Sequence, residues 1–435
     1  STVVNAGQSD RHGLAAVVPA GGGLGIAAVA YVGVDYLRHL SPPWHAKLQP
    51  ALWSALALAA VVRVPFYKHW PAELGSAIPF GFSIIFMLSS FLFEVLCVRF
   101  VSAVVGLDWH SDARPLPDTG QWLLLALNEK LPQLLVEVLR ARVVGLHHFL
   151  MLFMMLAFSV LFNSVKAPGL GLGARYMFTM AIGRILRAIS FVSTILPSAR
   201  PWCASVRYRI PEHPHPWAQK YYTPYASDAN AIRQLLYRDS AAEVQNYIFD
   251  YRPDWGPMNF LIDFLRPTPS EGSSWYGLLK TAEGGCNDLL FSGHMLVAVL
   301  TAMAWKEAYG GLSSVLIWLF VLHSAQREIR ERHHYTVDCV VAIYVGILLW
   351  KMTGFMWPPR SKRLSQLERI HGKLVQAAKD SDMDTVRELL EGVEPPGGDG
   401  QGQNVGGRAM WVFASATISL TLVIVVLAFR WTSGG

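Results

Sequence analysis

The sequence predicts an all-α integral membrane protein: a six-span helical core, further apolar segments toward the N-terminus and one more span at the C-terminus. Three observations carry that prediction. Of 435 residues, 52% are hydrophobic and only 16% are charged, where a soluble domain has about 25% charged residues. The mean hydropathy is +0.30, and the apolar residues gather in runs near the ~20 residues that cross a hydrocarbon layer. Basic residues gather in short segments between those runs, as cytoplasmic loops do under the positive-inside rule. The net charge of +6 is modest, and no nucleic-acid-binding motif accompanies it, so nucleic acid is not an expected partner.

Residues 1–76 form an N-terminal region with two weaker apolar stretches, 14–34 and 52–64. Gly21, Gly22 and Gly23 interrupt the first and the second is short, so spanning and interfacial readings stay open for both. Arg11 and His12 precede a Gly- and Ala-rich run without a clear cleavage site, so insertion is expected to rely on internal helices. The core occupies residues 77–358, with spans expected at 77–107, 145–162, 176–196, 291–309, 312–325 and 339–357. Residues 359–408 are a polar spacer. Within it, 373–391 reads as a helix pair resembling one ankyrin-like unit, which alone cannot bury its own face. Residues 409–435 hold the last span, at 411–429 between Arg408 and Arg430.

Arg360, Lys362, Arg363, Arg369 and Lys373 follow the sixth core span and assign that segment to the cytosol. Counting back, the 166–175 loop is also cytosolic, and the long 197–288 loop is lumenal. Among the cysteines Cys97, Cys203, Cys286 and Cys339 there is no Cys-x-x-Cys pair and no zinc spacing, and no cofactor motif is present; neither cofactor nor metal is expected. Cys203 and Cys286 share the lumenal region, where a disulfide is chemically allowed, but no spacing argument pairs them.

The chemistry concentrates at two span entrances, Cys286-Asn287-Asp288-Leu289-Leu290-Phe291-Ser292-Gly293-His294 and His334-Tyr335-Thr336-Val337-Asp338. Polar and ionisable residues at a membrane boundary are costly, which marks them as functional candidates. A phospho-headgroup can move through a covalent phospho-histidine. That route needs a neutral imidazole, a carboxylate to fix its tautomer and an acid for the departing alkoxide. His334 and Asp338, four apart, share a helix face, and His294 is free to approach from another helix. The alternative is that all three are interfacial polar residues satisfied by loop backbone. Asp288 is read either as orienting His294 or as a helix N-cap. Arg187, inside a span, is expected to face a cavity or a phosphate; for Arg184, one turn before it, headgroup contact and snorkelling to an interface both stay open. His147 and His148 read as interfacial, and the alternating charges from Arg327 to Arg332 as a solvated lumenal turn.

These motifs resemble those of the sphingomyelin synthase family, a branch of the lipid phosphatase superfamily that carries Cys-Gly-Asp-x-x-x-Ser-Gly-His-Thr and His-Tyr-Thr-x-Asp. Pro115-Leu116-Pro117-Asp118 matches a third family segment. Arg175, Arg187 and Thr194 with Leu196-Pro197 match its arginine-rich span. The resemblance covers roughly residues 77–358 and is closest to plant members; Asn287 replaces the glycine and Met295 the threonine. It implies a lipid phosphatase-like helical core, with His334 as nucleophile, Asp338 as its partner and His294 as general acid. It further implies substrate contacts at Asp288 and Arg187. The implied partners are membrane lipids: ceramide, a glycerophospholipid donor and diacylglycerol as product. The implied location is the secretory pathway, in Golgi, endoplasmic reticulum or plasma membrane, with the site facing the lumen. Oligomeric state is left open, homo-oligomers included.

Three functions compete: a headgroup transferase, a lipid phosphate hydrolase and a non-catalytic ceramide sensor. The superfamily's phosphatases carry Lys-x(6)-Arg-Pro. Here the Arg-Pro pairs at Arg114, Arg200, Arg252 and Arg266 are preceded at that distance by Leu107, Ser193, Gln245 and Asn259. Nor does an arginine stand six before His334, where Glu328 sits. Both absences favour the transferase. The headgroup is not legible: Trp275, Tyr276 and Tyr335 do not define a choline cage.

Overall fold

The computed structural model describes residues 40–67, 70–141, 169–207 and 285–354, with scattered residues outside these runs. Nearly all of the 14–34 stretch, the expected 145–162 span, His147, His148, most of the 197–288 loop, nearly all of the polar spacer and most of the 411–429 span lie outside the described residues. Among the described residues the chain is helical without strands, the all-α membrane protein the composition predicts.

Helix α1, Pro42–Arg63, runs into a 3-10 turn, Val64–Phe66. Together they make a longer helix than the 52–64 stretch alone suggested. Pro42–Phe66, Ala77–Val104 and Thr336–Thr353 are each long and apolar enough to cross a membrane. The short α2, Trp70–Gly75, precedes α3, Ala77–Val104, and α4, Gly106–Asp112, follows it. Gly106 sits at φ 71° and makes the break, a backbone state that glycine adopts without strain. Then come α5, Thr119–Asn128; α6, Gln133–Arg140; α7, Gly169–Ser193; α8, Cys203–Arg207; α9, Gly293–Ala308; α10, Gly311–Arg330; and α11, Thr336–Thr353.

The bundle packs around α9. Met295, Ala298, Val299, Leu300, Ala302 and Ala304 on this helix are fully buried. Small residues set its approach to its neighbours, as in membrane helix pairs generally. A β-carbon on Gly183 of α7 would come within 2.5 Å of Leu296, and one on Gly346 of α11 within 2.8 Å of Val299.

Helices α3, α7 and α10 finish at the bundle end where α9 and α11 begin. The opposite end is closed by Arg175, which donates to both Glu307 oxygens at 2.8 and 2.7 Å and stacks on Trp350 at 4.1 Å. There Glu73 of α2 accepts from the Gly169 and Leu170 amides at 2.8 and 2.7 Å, capping the N-terminus of α7 from another helix.

One expectation is corrected and one open reading is narrowed. Helix α10 continues through Arg330, so the charged run is no solvated turn: Glu328 and Arg330 are each 4% exposed. Arg184 does not snorkel but pairs with Glu94 and lies over the Phe91 ring at 4.9 Å. An apolar environment makes a nearby carboxylate a better partner than a distant interface.

Candidate active site

Asp338 is the buried centre of the site. It stands in the first turn of α11 with no exposure, and its oxygens gather both histidine motifs. Oδ2 accepts from the Tyr335 amide at 3.0 Å and faces His334 Nδ1 at 3.3 Å. Oδ1 accepts from the Leu290 amide at 3.0 Å, and the Asp338 carbonyl accepts from the Ser292 amide at 3.1 Å. Leu290 has φ 80°, a costly state for a side-chain-bearing residue; its bond to Asp338 holds the turn in place. With Nδ1–H turned toward Asp338, the lone pair of His334 is on Nε2.

Ser292 caps α9 by accepting from the Met295 amide at 3.4 Å, which places His294 in the first turn. Asp288, for which capping was one reading, is not the cap. Ring nitrogens of His294 and His334 and a carboxylate oxygen of Glu328 all lie within 4.8 Å of one another. Three helices therefore bring their polar groups to one point: α9 from its start, α10 from its last turn and α11 from just ahead of its start. Two imidazoles and a carboxylate are also a zinc donor set. They come from three helices, so sequence spacing could not reveal the set, and a metal there would occupy a histidine nitrogen that nucleophilic chemistry needs free.

Arg187 and Asp288, expected as substrate contacts, are brought together with each other. The Arg187 guanidinium donates to the carboxylates of Asp288 and Glu94. It also donates to the carbonyls of Phe291 and Asp288 at 3.0 and 2.9 Å. Both side chains are buried. Burial opposes the Asp288 charge, but Arg187 and His334 hold its carboxyl below the usual carboxylate range. Glu94 was not anticipated, although a carboxylate inside an apolar span is itself a signal.

The Pro115-Leu116-Pro117-Asp118 segment docks on the second histidine motif. Asp118 caps α5 through the Gln121 amide at 3.2 Å. It also accepts from the Thr336 amide and hydroxyl, each at 2.7 Å. The Tyr335 hydroxyl accepts from the Leu116 amide at 2.9 Å and donates to the Pro197 carbonyl at 3.0 Å. His333 accepts at Nδ1 from Arg200 at 2.7 Å. Burial, partly offset by Glu328 and reinforced by Arg200 and Arg327, pushes its imidazole down to about 4, so it stays neutral at physiological pH.

Cys203 and Cys286 form a disulfide with Cα atoms 5.7 Å apart, pairing two residues that spacing alone left open. It ties α8 to the start of the first histidine motif across 83 positions. Chain-entropy arguments assign such a crosslink a stabilisation on the order of 4 kcal/mol. Replacing both cysteines with serine is expected to lower the unfolding temperature in detergent by several degrees, read by tryptophan fluorescence with and without reductant. Superimposable melts in all four conditions would show that the crosslink carries no stability.

The helical membrane bundle and the match of residues 285–355 to the PAP2 superfamily C-terminal family define the class: a membrane lipid phosphatase or phosphotransferase-type protein. The chain is 66% identical to the Protein PHLOEM UNLOADING MODULATOR of Arabidopsis thaliana over 418 residues, 95% of this chain and 99% of that one, and belongs to its family. It is also 33% identical over 110 residues to the Phosphatidylinositol:ceramide inositolphosphotransferase of Oryza sativa subsp. indica, and equally to that of subsp. japonica. That similarity spans 24% of this chain and 31% of each relative.

Proposed function

We propose that the protein transfers a phospho-headgroup from a glycerophospholipid to ceramide through a phospho-histidine, releasing diacylglycerol. The observation that carries this reading is the Asp338–His334 pair facing His294. In the first half-reaction His334 Nε2 forms a bond to phosphorus, the phosphorus–oxygen bond to the glycerol carbon skeleton breaks, and that oxygen takes its proton from His294. In the second half-reaction His294 takes the proton of the ceramide primary hydroxyl, whose oxygen displaces the imidazole from phosphorus. Asp338 fixes the His334 tautomer throughout. Arg187 and Asp288 position the 288–292 turn and do not themselves hold the headgroup, since their polar groups are committed to each other and to Glu94.

Phosphoinositol is the headgroup this reading favours, because the rice proteins that share 33% identity with this chain over 110 residues are named for its transfer. Residues 77–358 serve as the catalytic core, with the 359–408 spacer and the 409–435 span appended. The site faces the lumen of the secretory pathway, in the endoplasmic reticulum or Golgi; the Cys203–Cys286 disulfide supports an oxidising compartment.

The test uses the full chain in vesicles with fluorescent ceramide and, in separate reactions, phosphatidylinositol, phosphatidylethanolamine or phosphatidylcholine. Equal molar appearance of diacylglycerol and a phospho-headgroup ceramide is expected, fastest with phosphatidylinositol. Diacylglycerol formed alongside free phospho-headgroup, with no new sphingolipid, would establish a hydrolase instead. Absence of turnover with every donor would favour the non-catalytic alternative.

A further inference from the structure

Glu328 is the residue in the candidate site that the transfer chemistry does not use. It stands two residues from the end of α10 and is 4% exposed. Its Oε1 accepts from Arg327 at 3.1 Å, and its Oε2 is buried with no hydrogen-bond partner among the described residues. Its carboxylate lies within 4.8 Å of ring nitrogens of both His294 and His334. A phosphorus atom under attack sits about 3–3.5 Å from the attacking nitrogen, so any reacting phosphate is forced close to this carboxylate. Arg327 is ion-paired with Oε1 and offsets part of this charge, while Arg187, the buried guanidinium beside the 288–292 turn, is engaged by Glu94 and Asp288 and adds nothing to that offset.

We infer that Glu328 is a specificity determinant that excludes phosphate monoesters and admits phosphodiesters. This rests on the transfer reading and names the class of donor it takes. A diester carries one negative charge, which His294 and the start of α9 can balance. A monoester carries close to two at neutral pH, and the second charge meets a buried carboxylate. One additional charge about 6 Å away, at an effective dielectric near 20, corresponds to at most roughly a hundredfold in affinity, the Arg327 ion pair setting the result below that ceiling. A guanidinium at the same place would reverse the preference. The sign of the side chain at this one position thus separates a site that draws its phosphoryl group from intact phospholipids from one that acts on phosphatidic acid.

The first test needs only the native chain in vesicles. Phosphatidylmethanol and phosphatidic acid with identical acyl chains differ by one methyl group and one charge. As competitors of phosphatidylinositol turnover, phosphatidylmethanol is expected to be the stronger, by at most roughly a hundredfold. Equal inhibition, or stronger inhibition by phosphatidic acid, overturns the inference. The second test compares kcat/KM for diacylglycerol release from phosphatidylinositol and from phosphatidic acid. Glu328→Gln is expected to shift the ratio toward phosphatidic acid by at most roughly a hundredfold, while Glu328→Asp retains the native ratio. A folding defect lowers both rates together and leaves the ratio unmoved; an unmoved ratio in the glutamine variant overturns the inference. Diacylglycerol release is counted whether or not ceramide accepts the headgroup. If the protein proves a hydrolase, the transfer reading falls while the charge selection is still measured.

Discussion

Replacing His334 with alanine is expected to remove headgroup transfer to the level of the uncatalysed reaction, a loss of at least about a thousandfold. No other described group is placed to take over the attack. His294 has no carboxylate bonded to its ring as Asp338 is to His334, and Glu328 is a poor nucleophile toward an anionic phosphate. The measurement is sphingolipid product per folded protein, paired with trapping of radiolabelled phosphoenzyme in the absence of ceramide. Label should appear on the native chain, be lost in acid as phosphoramidates are, and be missing from the alanine variant. Product formation or labelling that survives His334→Ala would sink the nucleophile assignment. Asp338→Asn is expected to cost about 10² to 10⁴ in rate. An amide keeps one acceptor oxygen for the Leu290 and Tyr335 amides but turns an N–H toward one of its former donors. Because Asp338 also joins the two motifs, its variant should lose thermal stability as well, and the rate must be compared at a temperature where both proteins are folded.

Arg187→Ala is expected to have the largest effect on stability. It leaves the Asp288 carboxylate buried without a counter-charge and Glu94 with Arg184 alone, and removing one partner of a buried pair costs about 3–5 kcal/mol. Lysine is not a substitute: a single ammonium cannot reproduce the four contacts to Glu94, Asp288 and the two loop carbonyls. Neutralising the carboxylates together with the arginine, as Glu94→Gln, Asp288→Asn and Arg187→Met, is expected to recover most of the lost stability. Denaturation midpoints in a fixed detergent check both statements. A triple variant as unstable as Arg187→Ala would show that the hydrogen bonds to the turn, and not the unpaired charges, dominate.

The recovery of helix positions illustrates what kind of information is local. The 291–309 and 339–357 runs became α9 and α11 with ends shifted by a few residues, because a run of apolar residues in lipid satisfies its backbone only as a helix. The 312–325 run was read too short. Charges from Arg327 to Arg330 looked like solvent-facing residues, yet they continue α10 into a polar interior at the bundle end. Glu328 was noted for the arginine it is not, and its burial between two histidines could not be read from a one-dimensional neighbourhood of alternating charge. Glu94 was passed over in the same way, hidden in a strongly apolar span.

The sequence by itself determined the class of solvent this chain folds in, the placement of most helices, and the His334–Asp338 pair. All of these rest on spacings of four residues or on runs of about twenty. Only the tertiary structure decided which groups meet across larger separations. It joined Asp338 to the Leu290 turn and Asp118 to Thr336. It closed Cys203 onto Cys286, committed Arg187 to Glu94 and Asp288, and set Glu328 beside both histidines. The physical reason is that a buried charge or donor must find a partner of opposite character, and many residues in the sequence qualify. Helix packing selects among them, and that selection gives the site its charge.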